Sequence, residues 1–220
     1  MIQASFCYLC KKIFIMEQCY NCGCELTKEN KGTDEHIPMR ALYRCYSAMY
    51  KKNLLTVPAC NACNNQYSKI DEDFKNIIAL WAINENIEIN NGFIQSACRS
   101  PKLRSKIRIL QDKIISEFSS RNYNDVHLKN FKGLYYKQYG EPLPMTYQII
   151  ILADLSDKID YPDISPVFSQ IMKESFDFES SHFVGHKDIF QYDITDIGLG
   201  IMCTMVYFKK LFARVCAIRS

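Results

Sequence analysis

The sequence predicts an α+β protein whose N-terminal domain is stapled by zinc. Two Cys-x-x-Cys pairs, Cys19/Cys22 and Cys60/Cys63, can supply the four thiolates of a tetrahedral zinc site. Apolar residues then recur at helical spacing after Cys63, and segments rich in β-branched and aromatic residues follow toward the C-terminus. We therefore expect a zinc-stapled domain, a helical connector and a small C-terminal α+β module with an antiparallel sheet.

The composition is that of an ordinary folded protein, with 48% apolar and 23% charged residues. Eleven cysteines would suggest disulfides in a secreted chain, but the N-terminus lacks the pattern of a signal peptide. Metal ligation in a reducing cytoplasm is the better interpretation. The longest apolar runs, Ile149 to Ala153 and Ile197 to Phe208, are shorter than the ~20 residues of a spanning helix, so no membrane is expected as a partner.

The first predicted domain covers residues 1–90. Turn residues dominate from Gln18 to about Asn65, apart from a helix predicted over Met39 to Lys52 after Pro38. A longer helix is predicted beyond Cys63, because apolar residues recur at steps of three and four. This core-facing stripe consists of Tyr67, Ile70, Phe74, Ile77 and Trp81.

The connector, residues 91–125, is predicted to hold a helix that opens at Pro101. Its apolar stripe would be Leu103, Ile107, Leu110, Ile114 and Phe118, and its outer face would carry Lys102, Arg104, Lys106 and Arg108. Such a face is either solvated surface or a contact for a phosphate backbone. Residues 1–140 carry 20 Lys+Arg against 13 Asp+Glu (+7), and residues 141–220 carry 7 against 11 (−4), so a polyanion should meet the N-terminal part.

The C-terminal module, residues 126–220, is predicted to consist of strands and one short helix. Strands are predicted over residues 133–137, 147–153, 190–195 and 202–218, the last with a hairpin turn at Lys209-Lys210. Ser165 to Phe176 reads as a short helix. The acidic charge of this module makes a protein partner a further hypothesis.

Between the two cysteine pairs lies the sequence Asp-Glu-His-Ile-Pro, residues 34–38, and Asn64 follows the last cysteine directly. His36 can accept a proton near neutral pH. Glu35 and Asn64 offer hard oxygen ligands that suit Mg²⁺ or Mn²⁺ rather than zinc. Because neighbouring residues of a strand point to opposite sides, Glu35 and His36 cannot easily serve the same metal from a regular strand, and a division between metal ligation and proton transfer respects that geometry.

The joined pattern of residues 19–75 resembles the HNH, or ββα-metal, endonuclease family, in its stand-alone bacterial type with a four-cysteine zinc site. The resemblance implies DNA phosphodiester hydrolysis with His36 as general base and Asn53 as the amide that orients it. It also implies a catalytic Mg²⁺ or Mn²⁺ on Glu35 and Asn64. Structural zinc would be held by Cys19, Cys22, Cys60 and Cys63. Glu35 stands where relatives more often have Asp or His, and Tyr67 where they often have Lys.

Several alternatives remain open at this point. Cys24 competes with Cys22 as a zinc ligand, since Gly23 gives the loop freedom, and Cys7-x-x-Cys10 reads as either buried thiols or a further metal pair. A zinc-containing nucleic-acid-binding module without cleavage, or an interaction subunit, would use the same cysteines. Similarity of residues 132–136 and 140–144 to segments of uncharacterised bacterial relatives adds a hypothesis of antiviral defence against phage.

Overall fold

A computed structural model describes residues 17–81, 91–92, 95, 98–105, 107–110, 113–116, 120–153 and 182–219. Its combination of helices with antiparallel sheets confirms the α+β class. The predictions for Cys7 and Cys10, for the helix over Ser165 to Phe176 and for Lys106 fall outside the described residues. Every helix within the described ranges is too short or too polar to span a bilayer.

The N-terminal part is built on a two-stranded hairpin followed by a helix. Strand β1 (Glu35–His36) pairs antiparallel with β2 (Thr56–Val57), and helix α1 (Asn61–Trp81) begins four residues later. The helix predicted over Met39 to Lys52 is wrong, because two 3₁₀ turns occupy this loop instead. They span Arg40–Tyr43 and Ala48–Lys51, and the extended backbone of Ser47 separates them.

Helix α1 confirms the long helix predicted beyond Cys63. It buries Tyr67 and Phe74, while Ile70 packs against the same core. The side chains of Ile77 and Trp81 lie outside the description. One face of α1 is therefore anchored in the core, and an adjacent flank carries polar residues.

The predicted connector helix from Pro101 onward is wrong. Helix α2 covers only Pro101–Arg104, and a hairpin of β3 (Ile107–Leu110) and β4 (Lys113–Ser116) follows. The β-branched isoleucines of both strands favour extended backbone. Of the basic residues assigned to one helical face, Lys102 and Arg104 lie in α2 and Arg108 lies in β3, so these three do not share a helix.

Helix α3 (Ser120–Tyr139) replaces the strand predicted over residues 133–137. It buries Val126 and Leu134 and ends at Gly140, whose φ of +77° suits the left-handed conformation that closes many helices. Gly133 lets α3 approach β1 closely, since a Cβ there would lie 2.5 Å from Cγ1 of Ile37. Ile37 directly follows His36, so α3 lies directly against the strand that carries the candidate base.

The C-terminal strands form one antiparallel sheet in the order β5-β9-β8-β7-β6. The strands predicted at residues 147–153, 190–195 and 202–218 are confirmed, with a turn through Phe208 and Lys209 in left-handed backbone. One hydrophobic cluster runs from Ile37 through Phe74 and Val126 to Tyr207. The bounds are β5 Tyr147–Ala153, β6 Val184–His186, β7 Phe190–Asp196, β8 Gly200–Tyr207 and β9 Leu211–Arg219.

Candidate metal centre and active-site cavity

Four cysteine sulfurs converge at the N-terminal end of α1. The Sγ atoms of Cys19, Cys22, Cys60 and Cys63, the cysteine cluster, all lie within 4.8 Å of one another. Cys22 and Cys60 are separated by 3.8 Å between sulfurs. A tetrahedral zinc ion with Zn–S bonds of about 2.3 Å needs sulfurs about 3.8 Å apart. The cluster can therefore hold a metal ion such as zinc.

Two tight loops present these thiols. In the first, Gly23 has a φ of +73° and its amide donates to the carbonyl of Cys19 at 2.9 Å, which turns the chain back on itself. In the second, the Cys63 amide donates to Sγ of Cys60 at 3.5 Å in the first turn of α1. Cys24 lies beside the cluster but outside it, so the geometry favours Cys22 as the ligand.

The surroundings of the cluster support a thiolate at Cys60. Burial alone would raise the pKa of this thiol, but hydrogen bonds from Cys63 and neighbouring thiols outweigh it and lower the pKa to about 7. Burial raises the pKa of the Cys24 thiol to about 12. The side-chain amide of Asn21 donates to Sγ of Cys63 at 3.2 Å and accepts from Nζ of Lys132 at 3.0 Å. Helix α3 thus contacts the cysteine loop through Lys132.

A cavity of about 400 Å³ opens beside β1, and it brings together three of the predicted site residues. Glu35 and His36 line it from the strand, and Asn64 lines it from the first turn of α1. Both residues therefore line one cavity, although they are neighbours on strand β1. We call this space the His36 cavity. Further lining residues include Arg40, Ser68, Asp71, Glu72 and Lys75.

Glu35 is held by a buried ion pair that the sequence did not suggest. Its Oε1 lies 2.8 Å from Nζ of Lys129, whose side chain on α3 is fully buried. The same ammonium lies 2.6 Å from Oδ2 of Asp71, and the ring of Tyr67 is 5.5 Å away. Burial raises the pKa of Asp71, with the Lys129 charge opposing that effect. One lysine thus balances two carboxylates at the wall of the cavity.

His36 is half-buried, and burial lowers its pKa below the ordinary value. The charge of Arg40 lowers this pKa further, whereas Glu35 raises it. The net direction favours the neutral imidazole near neutral pH, which is the form that accepts a proton. His36 can therefore act as a base in this cavity.

Asn64 and Glu35 fit a hard divalent cation by their donor chemistry. The amide nitrogen of Asn64 donates to the hydroxyl and carbonyl oxygens of Thr33, which leaves Oδ1 as its acceptor. Glu35 keeps a second carboxylate oxygen in addition to the one that contacts Lys129. Ions such as Mg²⁺ use one or two protein oxygens together with water and substrate phosphate. The described residues thus suit such an ion chemically.

The remaining predicted site residues are not brought to this cavity by the described contacts. Asn53 lies in the loop between β1 and β2, is exposed, and has a φ of +55°. Among the described residues, no hydrogen bond links its amide to His36. Arg104 is exposed in α2, Lys102 lies in the same short helix, and Arg108 lies in β3.

The sequence did not indicate four residues of the cavity region as site residues, namely Lys129, Asp71, Arg40 and Lys75. Asp71 and Lys75 belong to a polar stripe on α1 whose spacing matches one flank of a helix. That signal was present in the sequence, next to the apolar stripe. Lys129 gave no comparable signal, because a lone lysine in a helix ordinarily faces water. The stripe consists of Asn64, Ser68, Asp71, Glu72 and Lys75.

The chain matches no protein-family model, no curated protein and no solved structure. The interpretation of this site therefore depends on the geometry and chemistry of its residues and on the pattern of residues 19–75.

Proposed function

We propose that this protein is a metal-dependent endonuclease of the HNH type that hydrolyses phosphodiester bonds in DNA. The observation that carries the proposal is the His36 cavity, which is lined by His36, Glu35 and Asn64, the last of which directly follows Cys63 of the cysteine cluster. The hairpin of β1 and β2 followed by α1 agrees with the order of elements that the ββα-metal resemblance implies.

His36 is the general base in this proposal. Its imidazole takes a proton from a water molecule as that water attacks the phosphorus atom, and the lowered pKa keeps the imidazole in its accepting form. Arg40 lines the same cavity and presents positive charge toward the phosphate oxygens. The two residues thus act on the nucleophile and on the charge of the substrate.

Glu35 and Asn64 are the proposed protein ligands of one Mg²⁺ or Mn²⁺ ion. When bound, such an ion supplies positive charge for the phosphate and the departing 3′ oxygen. Lys129 fixes the orientation of Glu35 through its contact with Oε1, and Thr33 fixes that of Asn64. The cysteine cluster would hold zinc as a scaffold and take no part in bond breaking.

The cellular setting is proposed from the resemblance to stand-alone bacterial proteins. We infer that the nuclease acts in the cytoplasm in defence against phage, and that the acidic C-terminal module contacts a protein partner. Deletion of the gene from its native host is expected to increase the yield of infecting phage. Unchanged infection across a panel of phages would contradict the defence role, but it would leave the proposed phosphodiester hydrolysis untested by that experiment and open to the plasmid assay.

The test of the nuclease compares wild-type protein with His36→Ala on supercoiled plasmid in the presence of Mg²⁺ or Mn²⁺. General-base catalysis contributes about 10²–10⁴-fold, so we expect nicking to slow by that factor. His182→Ala is the matched control, because His182 is an exposed histidine that does not line the cavity. Equal nicking by His36→Ala and wild type would reject the proposed base. No nicking by wild type would favour a zinc module that binds nucleic acid without cleavage.

A further inference from the structure

A second pocket of about 250 Å³ adjoins the His36 cavity on its α1 side. Glu72 and Lys75 line both spaces, so the two pockets are neighbours that share part of α1 as a wall. Arg44 contributes to the second pocket from the turn after the first 3₁₀ segment, and Arg99 does so from the chain before α2. We call it the arginine pocket.

The charges of the arginine pocket are mostly of one sign. Arg44, Lys75 and Arg99 contribute +3 and Glu72 contributes −1, which gives a net charge of +2. The single carboxylate has its own donor, since the hydroxyl of Ser100 lies 3.4 Å from Oε1 of Glu72. This contact ties the segment that carries Arg99 to α1. The pocket is therefore a small concave surface suited to an anion.

The same elements present cations to both spaces. The 3₁₀ turn begins with Arg40, which lines the His36 cavity, and is followed directly by Arg44, which lines the arginine pocket. Lys75 stands between the two spaces on α1. Positive charge therefore continues from the cavity where a phosphate would be cleaved into the neighbouring pocket.

We propose that the arginine pocket binds a backbone phosphate of the nucleic acid strand next to the phosphate held in the His36 cavity. A guanidinium group matches two oxygens of a phosphate with parallel hydrogen bonds, and the pocket carries two such groups. This inference rests on the proposed nuclease function. It assigns backbone contact to Arg44, Lys75 and Arg99, residues that the basic sequence of the connector did not suggest.

Binding of a short fluorescent DNA duplex tests the pocket without cleavage, in a His36→Ala background and across a salt titration. We compare Arg44→Gln/Arg99→Gln with Lys137→Gln/Lys210→Gln, a control that removes the same charge from exposed residues outside both pockets. The logarithm of the DNA-binding constant K falls linearly with the logarithm of the salt concentration, and each lost phosphate contact reduces the magnitude of this slope by about 0.9. We expect a reduction of about 1.8 for the arginine variant, which corresponds to about 60-fold weaker binding at ~0.1 M salt.

Each outcome tests the proposed phosphate contact of the arginine pocket independently of the proposed nuclease activity. A slope that is reduced in the arginine variant and unchanged in the control supports the pocket, even if wild-type protein never cuts plasmid. Equal slopes in the two double variants overturn the pocket, even where nicking depends on His36. Thermal unfolding of both variants is measured alongside, and a normal melting temperature in the arginine variant assigns the loss to the contact itself.

Discussion

The cysteine cluster and the His36 cavity share the same stretch of chain, yet they are assembled in different ways. The cluster draws its four sulfurs from two short loops, each closed by local hydrogen bonds. The cavity instead depends on α1 for one wall and on Lys129 of α3 to balance its carboxylates. Each cysteine pair of the cluster is thus shaped locally, although the two pairs meet across 38 residues of chain, whereas the cavity depends on a buried ion pair to α3. Substitutions should therefore damage the two sites in different ways.

The largest effect is expected at the cluster. Cys60→Ala removes one of four zinc ligands, and binding of structural zinc contributes about 10–16 kcal/mol to folding in small zinc domains. We expect the variant to lose zinc and the N-terminal part to unfold, as measured by elemental analysis and circular dichroism. Cys24→Ala is the control and should keep zinc, because Cys24 lies outside the cluster. Zinc retained at full stoichiometry in Cys60→Ala would reject the proposed ligand set.

At the cavity, Lys129→Met should lower stability without releasing zinc. The substitution leaves Glu35 and Asp71 without their buried counter-charge, and breaking a buried ion pair costs about 3–5 kcal/mol. Denaturant unfolding measures the loss, and Lys137→Met on the exposed end of α3 should change stability by less than ~0.5 kcal/mol. The penalty should be smaller in mild acid, since burial raises the pKa of the Asp71 carboxyl, and stability from a raised carboxyl pKa is present at low pH and lost as pH rises.

The double variant Lys129→Met/Asp71→Asn sharpens this result. It removes one of the two carboxylates that need the ammonium, so part of the lost stability should return. No recovery in the double variant would mean that Lys129 acts through packing rather than through charge.

The same contrast explains how far the sequence could predict the structure. The cysteine cluster could be predicted because zinc ligands commonly occur as Cys-x-x-Cys pairs. Helix α1 could be predicted because Tyr67, Ile70 and Phe74 recur at steps of three and four residues. The strands of the C-terminal sheet could be predicted from their β-branched and aromatic residues, and the turn at Lys209-Lys210 could be predicted from its polar residues. Each of these signals is local.

The failures came where local signals were ambiguous. Ile107 and Ile114 fit a helical stripe, but they also fit the alternation of a hairpin, and pairing between β3 and β4 decided the outcome. Residues 133–137 resembled a strand, yet the packing of Leu134 against the core and of Gly133 against Ile37 belongs to a helix. Lys129 could not be assigned from sequence, because its partners lie in two distant elements.

A smaller effect is expected at Asn53, where the family resemblance and the structure point to different roles. The resemblance implies an amide that orients His36, whereas the structure has an exposed residue in left-handed backbone. Because left-handed backbone costs other residues about 1–2 kcal/mol, Asn53→Ala should lower stability by that amount and Asn53→Gly should not. Nicking by Asn53→Gly should stay near wild type. A loss comparable to that of His36→Ala would restore the orienting role.

The smallest effect is expected in the pH dependence of cleavage. A general base must be deprotonated, so the rate should rise as pH increases through the pKa of His36 and then level off. Burial and the charge of Arg40 hold this pKa below the ordinary value. Arg40→Gln removes the charge, and the rising limb of the profile should therefore move to higher pH, toward the ordinary histidine value of ~6.5.

The pH at which the rate rises distinguishes the effect of the Arg40 charge on the pKa of His36 from an effect of Arg40 on phosphate binding. Arg40→Gln can also reduce the height of the profile by weakening contact with phosphate, but lost contact alone does not move the limb. Arg104→Gln is the control, since Arg104 is exposed and lines neither pocket, and its limb should coincide with that of wild type. A limb that stays in place in Arg40→Gln would mean that a group other than His36 takes the proton. The cavity would then keep its charges but lose its assigned base, while the cysteine cluster would be unaffected.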